Sequence, residues 1–260
     1  MATIRERRNS FVPINRIPLE ILSLIPAHLS SQADRLRATF VCRHWRRTFL
    51  EHPALWSEVY LRKGEVYAKT LLERAKGSTL DIVSCFSAPI RIITLLPPYT
   101  KQIRSLDFDR TLWADIRRFS ELNSGPLPLL PVLRINAIGK IDSDSLSTMI
   151  SPSIPFFSNA VNLQAFQLHS EGSQTLNLFV FPSLTSFELT MESSEEFWAS
   201  YLLDFLEASP MLQVVHVKII GDMSLDGIPQ ERVVVLPDVE SLSLAMSYGE
   251  PGYEFVAHIS

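Results

Sequence analysis

An apolar pattern recurs six times along most of this chain. Large apolar residues occupy the first, fourth and sixth positions of each copy, and the copies begin at residues 103, 130, 163, 184, 212 and 239. The fourth and sixth positions alternate with polar neighbours, which is typical of a short strand with one buried face. A unit of this size buries little surface by itself, so we expect consecutive units to stack and share one core.

The spacing of the copies indicates the type of repeat. The gaps are 27, 33, 21, 28 and 27 residues, and most of them fall within the ~20–29 residues of leucine-rich repeats. We therefore predict an α/β fold in which residues 77–260 form an irregular leucine-rich-repeat solenoid, with a partial first copy at Leu80 and Ile82. A mixed α/β domain with unrelated strands is the alternative, because most copies lack the asparagine usual at the turn.

The third and fifth positions of each copy should face away from the shared core. They hold small, polar and charged side chains, which suit contact with a protein or a peptide. We predict that a target protein is bound by Asp107, Arg134, Gln167, Glu188 and His216. A solvated sheet face without a partner is the alternative.

Two further segments have the apolar spacing of helices. Residues 65–76 predict a connecting helix with Val66, Leu71 and Leu72 inward. Residues 195–208 predict a second helix, whose apolar face carries Phe197, Tyr201, Leu202 and Phe205.

The N-terminal segment of residues 17–56 is unusually rich in apolar residues for its length. Pro18 suits the first position of a short helix. Ser31 and Asp34 resemble a capping box that begins a second helix, and helical spacing continues from there to Phe49. Three short helices bury only a small core, so this segment needs a partner or an adjoining domain.

The same segment resembles an F-box. The ordered matches to that family's pattern are Pro18, Glu20, Ile21, Leu22, Ile25, Leu29, Asp34, Leu36, Arg37, Val41, Cys42, Arg43, Trp45, Arg46, Pro53, Leu55 and Trp56. In the family this element binds a Skp-type adaptor, which connects it to cullin and to a RING subunit. The resemblance therefore implies a substrate receptor of a Skp-cullin-F-box ubiquitin ligase, a noncatalytic subunit that acts by proximity.

The resemblance also implies an adaptor-binding surface. We expect it to consist of Ile17, Pro18, Leu19, Ile21, Leu22, Ile25, Leu29, Leu36, Val41, Cys42 and Trp45. Pro26 stands where the family has Phe, and proline disfavours helix at the preceding residue. The first helix should therefore end or kink there, with lower adaptor affinity than is usual. The alternative function is a leucine-rich-repeat interaction scaffold whose F-box has decayed.

The order of the parts resembles the large F-box family of mushroom-forming fungi. It implies a flexible tail at 1–13, an F-box at 14–62, a connecting helix at 63–76 and degenerate repeats at 77–260. After the last copy the sequence is too short for a full capping unit. We expect that the final residues cap the stack, that a partner covers it, or that the chain is truncated.

Composition weighs against several other classes of function. The first 62 residues hold ten Lys or Arg against five Asp or Glu, but they lack the aromatic interleaving of a nucleic-acid stacking surface. No apolar run approaches the ~20 residues that span a bilayer. Two cysteines cannot supply a four-cysteine zinc site, and neither a phosphate loop nor a nucleophile elbow is present. We predict no cofactor, metal, nucleic-acid partner or membrane contact, and a cytoplasmic or nuclear location.

Overall fold

The computed structural model describes residue 4 and residues 11–22, 24–29, 31–85, 93–122, 125–138, 157, 159–170, 179–192, 197–246 and 259. Within these ranges the α-helices are α1 Leu19–Leu22, α2 Gln32–Ala38, α3 Arg43–Leu50, α4 Glu65–Ala75, α5 Trp113–Leu122 and α6 Ala199–Glu207. The strands are β1 Glu58–Tyr60, β2 Leu80–Cys85, β3 Ile103–Leu112, β4 Val132–Ile138, β5 Ala165–Ser170, β6 Ser186–Glu192, β7 Phe197–Trp198, β8 Val214–Ile220, β9 Met223–Ser224 and β10 Ser241–Met246.

Eight of the described strands form one sheet, in the order β1-β2-β3-β4-β5-β6-β8-β10. All neighbours in this sheet are parallel and follow the order of the chain. Parallel neighbours require a crossover connection, and α4, α5 and α6 lie in three of the crossovers. The connections differ in length and structure, so this region is a parallel sheet rather than a clear solenoid.

The apolar pattern of the sequence lies in register across this sheet. Its fourth positions are paired from strand to strand, and so are its sixth positions. From β3 to β8 both rows are buried, and the fourth-position row consists of Leu106, Leu133, Phe166, Phe187 and Val215. Burial decreases at β10, where the corresponding Leu242 is 42% exposed.

A hydrogen-bonded turn precedes six of the strands. In each, the N–H of the first pattern position donates to the carbonyl three residues earlier, in the pairs Ile103–Thr100, Leu130–Leu127, Leu163–Ala160, Leu184–Phe181, Leu212–Ser209 and Val239–Leu236. The chain therefore enters these strands in the same way, although the amino acids of the turns differ.

Aromatic rings fill the core beneath β5 and β6. The ring centre of Phe166 lies 4.9 Å from that of Phe179, 5.2 Å from Phe181 and 5.8 Å from Phe187. Phe205 of α6 closes this aromatic cluster at 4.4 Å from Phe187. All five rings are buried, so the cluster attaches α6 firmly to the sheet.

The two predicted outer helices are partly correct. In α4, Leu71 and Leu72 are buried, but Val66 is exposed, because the buried stripe runs through positions 68, 71, 72 and 75 and leaves position 66 outside it. The second predicted helix corresponds to α6. It begins at Ala199 rather than at residue 195, because Phe197 and Trp198 form β7 and pair with β9.

The N-terminal module, defined here as residues 14–62, contains α1, α2, α3 and β1. Ser31 caps α2, since its Oγ accepts a hydrogen bond from the Asp34 N–H at 3.1 Å and donates to Asp34 Oδ2 at 2.7 Å. The predicted continuous helical run is wrong after Ala38. The Thr39 hydroxyl donates to the Leu36 carbonyl at 2.7 Å, which satisfies an acceptor at the helix end, and extended backbone at Cys42 precedes α3.

Strand β1 joins this module to the sheet, a connection that sequence analysis missed. It lies inside residues 14–62 and pairs with β2. Gln32 of α2 donates through Nε2 to the Glu58 carbonyl at 2.7 Å, and its Oε1 accepts a hydrogen bond from the Tyr67 hydroxyl at 2.6 Å. The buried side chain of Gln32 therefore connects α2 with both β1 and α4.

Candidate functional site

The structure divides the predicted adaptor-binding residues by their exposure. The exposed ones are Pro18, Leu19, Ile21 and Val41, and the partly buried ones are Ile17, Ile25, Leu29, Leu36 and Cys42. The other two, Leu22 and Trp45, are only 0% and 8% exposed. Most of the predicted residues are thus accessible to a partner, while these two are enclosed.

Leu22 and Trp45 belong to the core of the N-terminal module. The Trp45 ring centre lies 5.3 Å from that of Phe49, and its Nε1 donates a hydrogen bond to Asn15 Oδ1 at 2.9 Å. A side chain with these contacts supports its neighbours rather than offering a free surface. Both residues are thus enclosed in the module, and their direct contact with an adaptor stays a prediction.

Three exposed apolar residues of the module, Ile14, Leu24 and Phe40, were not predicted. Leu24 follows α1 and Phe40 follows α2. Their signal in the sequence is an apolar residue placed just after a helix end. We define the exposed apolar set of the module as Ile14, Leu19, Ile21, Leu24, Phe40 and Val41.

Pro26 does not interrupt α1. That helix ends at Leu22, and Pro26 is the second residue of the 3-10 helix Ile25–His28. The first turn of a helix tolerates proline, because its missing N–H would have no partner inside the helix. Lower adaptor affinity caused by Pro26 stays a prediction.

The five predicted target-binding residues lie in one row across the open face of the sheet. Strand pairing places side by side Asp107, Arg134, Gln167, Glu188 and His216. Adjacent strands are about 4.8 Å apart. The row therefore presents a line of polar side chains that runs perpendicular to the strands.

Hydrogen bonds order the middle of this row. Arg134 Nε donates to Gln167 Oε1 at 2.8 Å, and Gln167 Nε2 donates to Glu188 Oε2 at 2.8 Å. Gln167 thus connects a guanidinium with a carboxylate two strands away. The three side chains hold one another in place before any partner arrives.

Four residues of the row, all except His216, line an open groove of about 630 Å³. Residues missed by the sequence analysis also line the groove, namely Tyr60, Asp109, Asn136, His169 and Thr190. Three of them form a second row, in which Asn136, His169 and Thr190 are paired across β4, β5 and β6. They were missed because the strands extend beyond the three-position apolar pattern, although alternation continues along them.

Asp107 is a partly buried carboxyl in the groove. The pKa of its carboxyl is raised, mainly by burial. The positive charge of Arg134 acts in the opposite direction, and the negative charge of Asp109 adds to the increase. Its neighbours in the row are Val83 and Arg134. Among the residues the structure describes, none donates a hydrogen bond to the Asp107 carboxylate, so it keeps its acceptor capacity for a partner.

Replacing Asp107 with Asn should raise the melting temperature at neutral pH. Because the pKa of Asp107 is raised by folding, the folded state binds its proton more tightly than the unfolded state. Its contribution to stability is therefore greatest below the unfolded pKa and is lost as pH rises through the folded pKa. Melting curves of wild type and Asp107→Asn at neutral and acidic pH should differ most at neutral pH.

The exposed Asp238→Asn is the control and should leave melting unchanged. A lower melting temperature for Asp107→Asn at neutral pH would show that attraction to Arg134 outweighs the cost of burial.

The described part of the chain offers no obvious metal centre or membrane segment. Its His, Cys, Asp and Glu side chains nowhere come together in a group of three that could hold a metal ion. No helix among the same residues is both long and apolar enough to cross a bilayer. The groove is lined by charged and hydrogen-bonding side chains, among them Asp107, Arg134 and Gln167.

Comparison with protein families identifies an F-box-like domain at residues 14–62. This match covers the N-terminal module alone. No curated protein matches the chain at a significant level. F-box domains typically bind Skp-type adaptors, and F-box proteins are generally noncatalytic ligase subunits. The domain supports a role in adaptor binding within a Skp-cullin-F-box-type ubiquitin ligase.

Proposed function

We propose that this chain is the substrate receptor of a Skp-cullin-F-box ubiquitin ligase. The observation that carries the proposal is the F-box-like domain at residues 14–62, which has an exposed apolar set suited to an adaptor. The open face of the sheet would hold a target protein. The chain would act by bringing that target close to the ubiquitin-carrying enzyme, without catalytic residues of its own, in the cytoplasm or the nucleus.

The sheet region is proposed to consist of degenerate leucine-rich repeats. Support comes from the recurring turn before six strands, from strand order that follows the chain and from the in-register apolar rows. Each unit would contact mainly its two neighbours, as in stacked repeats. The outer connections vary in length, which makes the repeats irregular.

The first test changes one residue of the exposed apolar set. Val41→Asp introduces a charge where an adaptor would cover an apolar side chain, and an uncompensated charge in an interface is strongly unfavourable. We expect capture of a purified Skp-type adaptor by the full chain to weaken at least about tenfold. Binding isotherms of wild type and variant give this ratio.

Val161→Asp is the matched control, because Val161 is 57% exposed and Val41 is 58% exposed. Val161 lies just before β5, outside the N-terminal module. Equal loss in both variants, or no loss in either, would mean that the docking surface is elsewhere. Failure of the wild-type chain to capture any adaptor would favour the alternative, a repeat scaffold with a decayed F-box.

A further inference from the structure

The groove on the open face carries an excess of negative charge. The described residues that line it include the carboxylates of Asp107, Asp109 and Glu188 but only one guanidinium, that of Arg134. With histidine counted as neutral, carboxylates thus outnumber cations among the lining residues. A partner that brings positive charge would relieve this imbalance, and the partly enclosed setting strengthens such attraction relative to bulk water.

Two of the carboxylates have unused hydrogen-bonding capacity. Asp107 accepts no hydrogen bond from the described residues, and Asp109 accepts only a long one, from Asn136 Nδ2 at 3.4 Å. An ionised carboxylate can accept about four hydrogen bonds. Lys and Arg side chains supply several donors together with positive charge, so they fit this end of the groove.

The middle of the row has a different composition. Among the described residues, Glu188 accepts one hydrogen bond, through Oε2 from Gln167, and its second oxygen has no donor there. Arg134 Nε donates to Gln167, and no described residue accepts a hydrogen bond from its Nη groups. Along the row the groove therefore offers an acceptor at Asp107, donors near Arg134 and an acceptor again at Glu188.

The spacing of these groups matches an extended peptide that crosses the strands. Asp107 and Glu188 are three strand intervals apart, which is roughly 14 Å. Four residues of extended chain cover about 13 Å, and residues i, i+2 and i+4 point to the same side. A peptide could thus place its first and fifth side chains on the two acceptors and its third near Arg134.

We propose that this groove binds an extended basic segment of the target, in which two Lys or Arg residues four positions apart flank a hydrogen-bond acceptor. The segment belongs to the target of the proposed receptor function, and the inference rests on that function for its biological meaning. The peptide preference itself is a property of the groove and is measurable without adaptor.

Fluorescence anisotropy of the full chain tests the proposal. The probe is a dye-labelled peptide Gly-Arg-Thr-Glu-Thr-Arg-Gly, and its control is the rearranged peptide Gly-Arg-Arg-Thr-Thr-Glu-Gly, which has the same composition and charge. We expect wild type to bind the first peptide at least about tenfold more tightly than the second. The double variant Asp107→Asn with Asp109→Asn should lose this preference, whereas Asp238→Asn should keep it.

Equal binding of the two peptides, no binding of either at millimolar concentration, or an unchanged preference in the double variant would overturn the proposal. Adaptor capture by the same proteins separates this result from the receptor function. Retained adaptor capture with no peptide preference refutes the groove assignment alone. A clear peptide preference without adaptor capture refutes the ligase role and keeps the groove assignment.

Discussion

Phe166→Ala should lower the free energy of unfolding by about 3–5 kcal/mol. The Phe166 side chain is fully buried and lies at the centre of the aromatic cluster beneath β5 and β6. Its removal leaves a large cavity between the sheet and α6, which the remaining rings can fill only in part. Denaturant unfolding curves of wild type and variant measure the difference.

The neighbouring residue provides the control. Gln167 points to the open face, so Gln167→Ala should cost less than about 1 kcal/mol. On the same principle, Leu168→Ala and Leu189→Ala should each cost about 2–5 kcal/mol, because both side chains are buried. If Gln167→Ala proved as destabilising as Phe166→Ala, the strand register would be shifted by one residue and the groove would be the core.

Trp45→Ala should also lower the free energy of unfolding, by about 3–5 kcal/mol. The indole is enclosed in the N-terminal module and connects Phe49 with Asn15. Trp45→Phe retains a ring and loses the hydrogen bond to Asn15, so it should cost less than the alanine variant. Unfolding curves of the two variants, recorded by far-ultraviolet circular dichroism, show which variant loses more stability.

The same variants separate a supporting role from direct adaptor contact. If Trp45 only supports the module, Trp45→Phe should bind adaptor nearly as well as wild type. A stable Trp45→Ala protein that no longer captures adaptor would instead identify Trp45 as a direct anchor, as the resemblance to an F-box predicts.

Periodicity predicted the sheet well because a strand has a period of two and one face of this sheet is buried. Leu168 and Leu189 lie in the core, and Gln167 and Glu188 lie on the open face. A one-residue error in register would have reversed all four positions. The line of target-binding candidates was predictable for the same reason, since in-register parallel strands bring equivalent positions together.

The surface of the N-terminal module was harder to predict. Leu19 and Leu22 are both leucines within one four-residue helix, yet Leu19 is exposed and Leu22 is buried. Which of them is enclosed depends on how α1 meets α3, and sequence spacing over one helical turn does not determine that. Likewise, β1 has only three residues, and such a short strand forms because β2 is available to pair with it.

Strand β1 is part of the F-box-like domain and also the first strand of the sheet. Under the proposed function, this shared strand has a consequence for the geometry of ubiquitin transfer. A segment held in the groove would be presented at one distance and one angle from the adaptor, because β1 joins the N-terminal module to the sheet. The lysines that become modified would then be selected by their position on the target rather than by the residues around them.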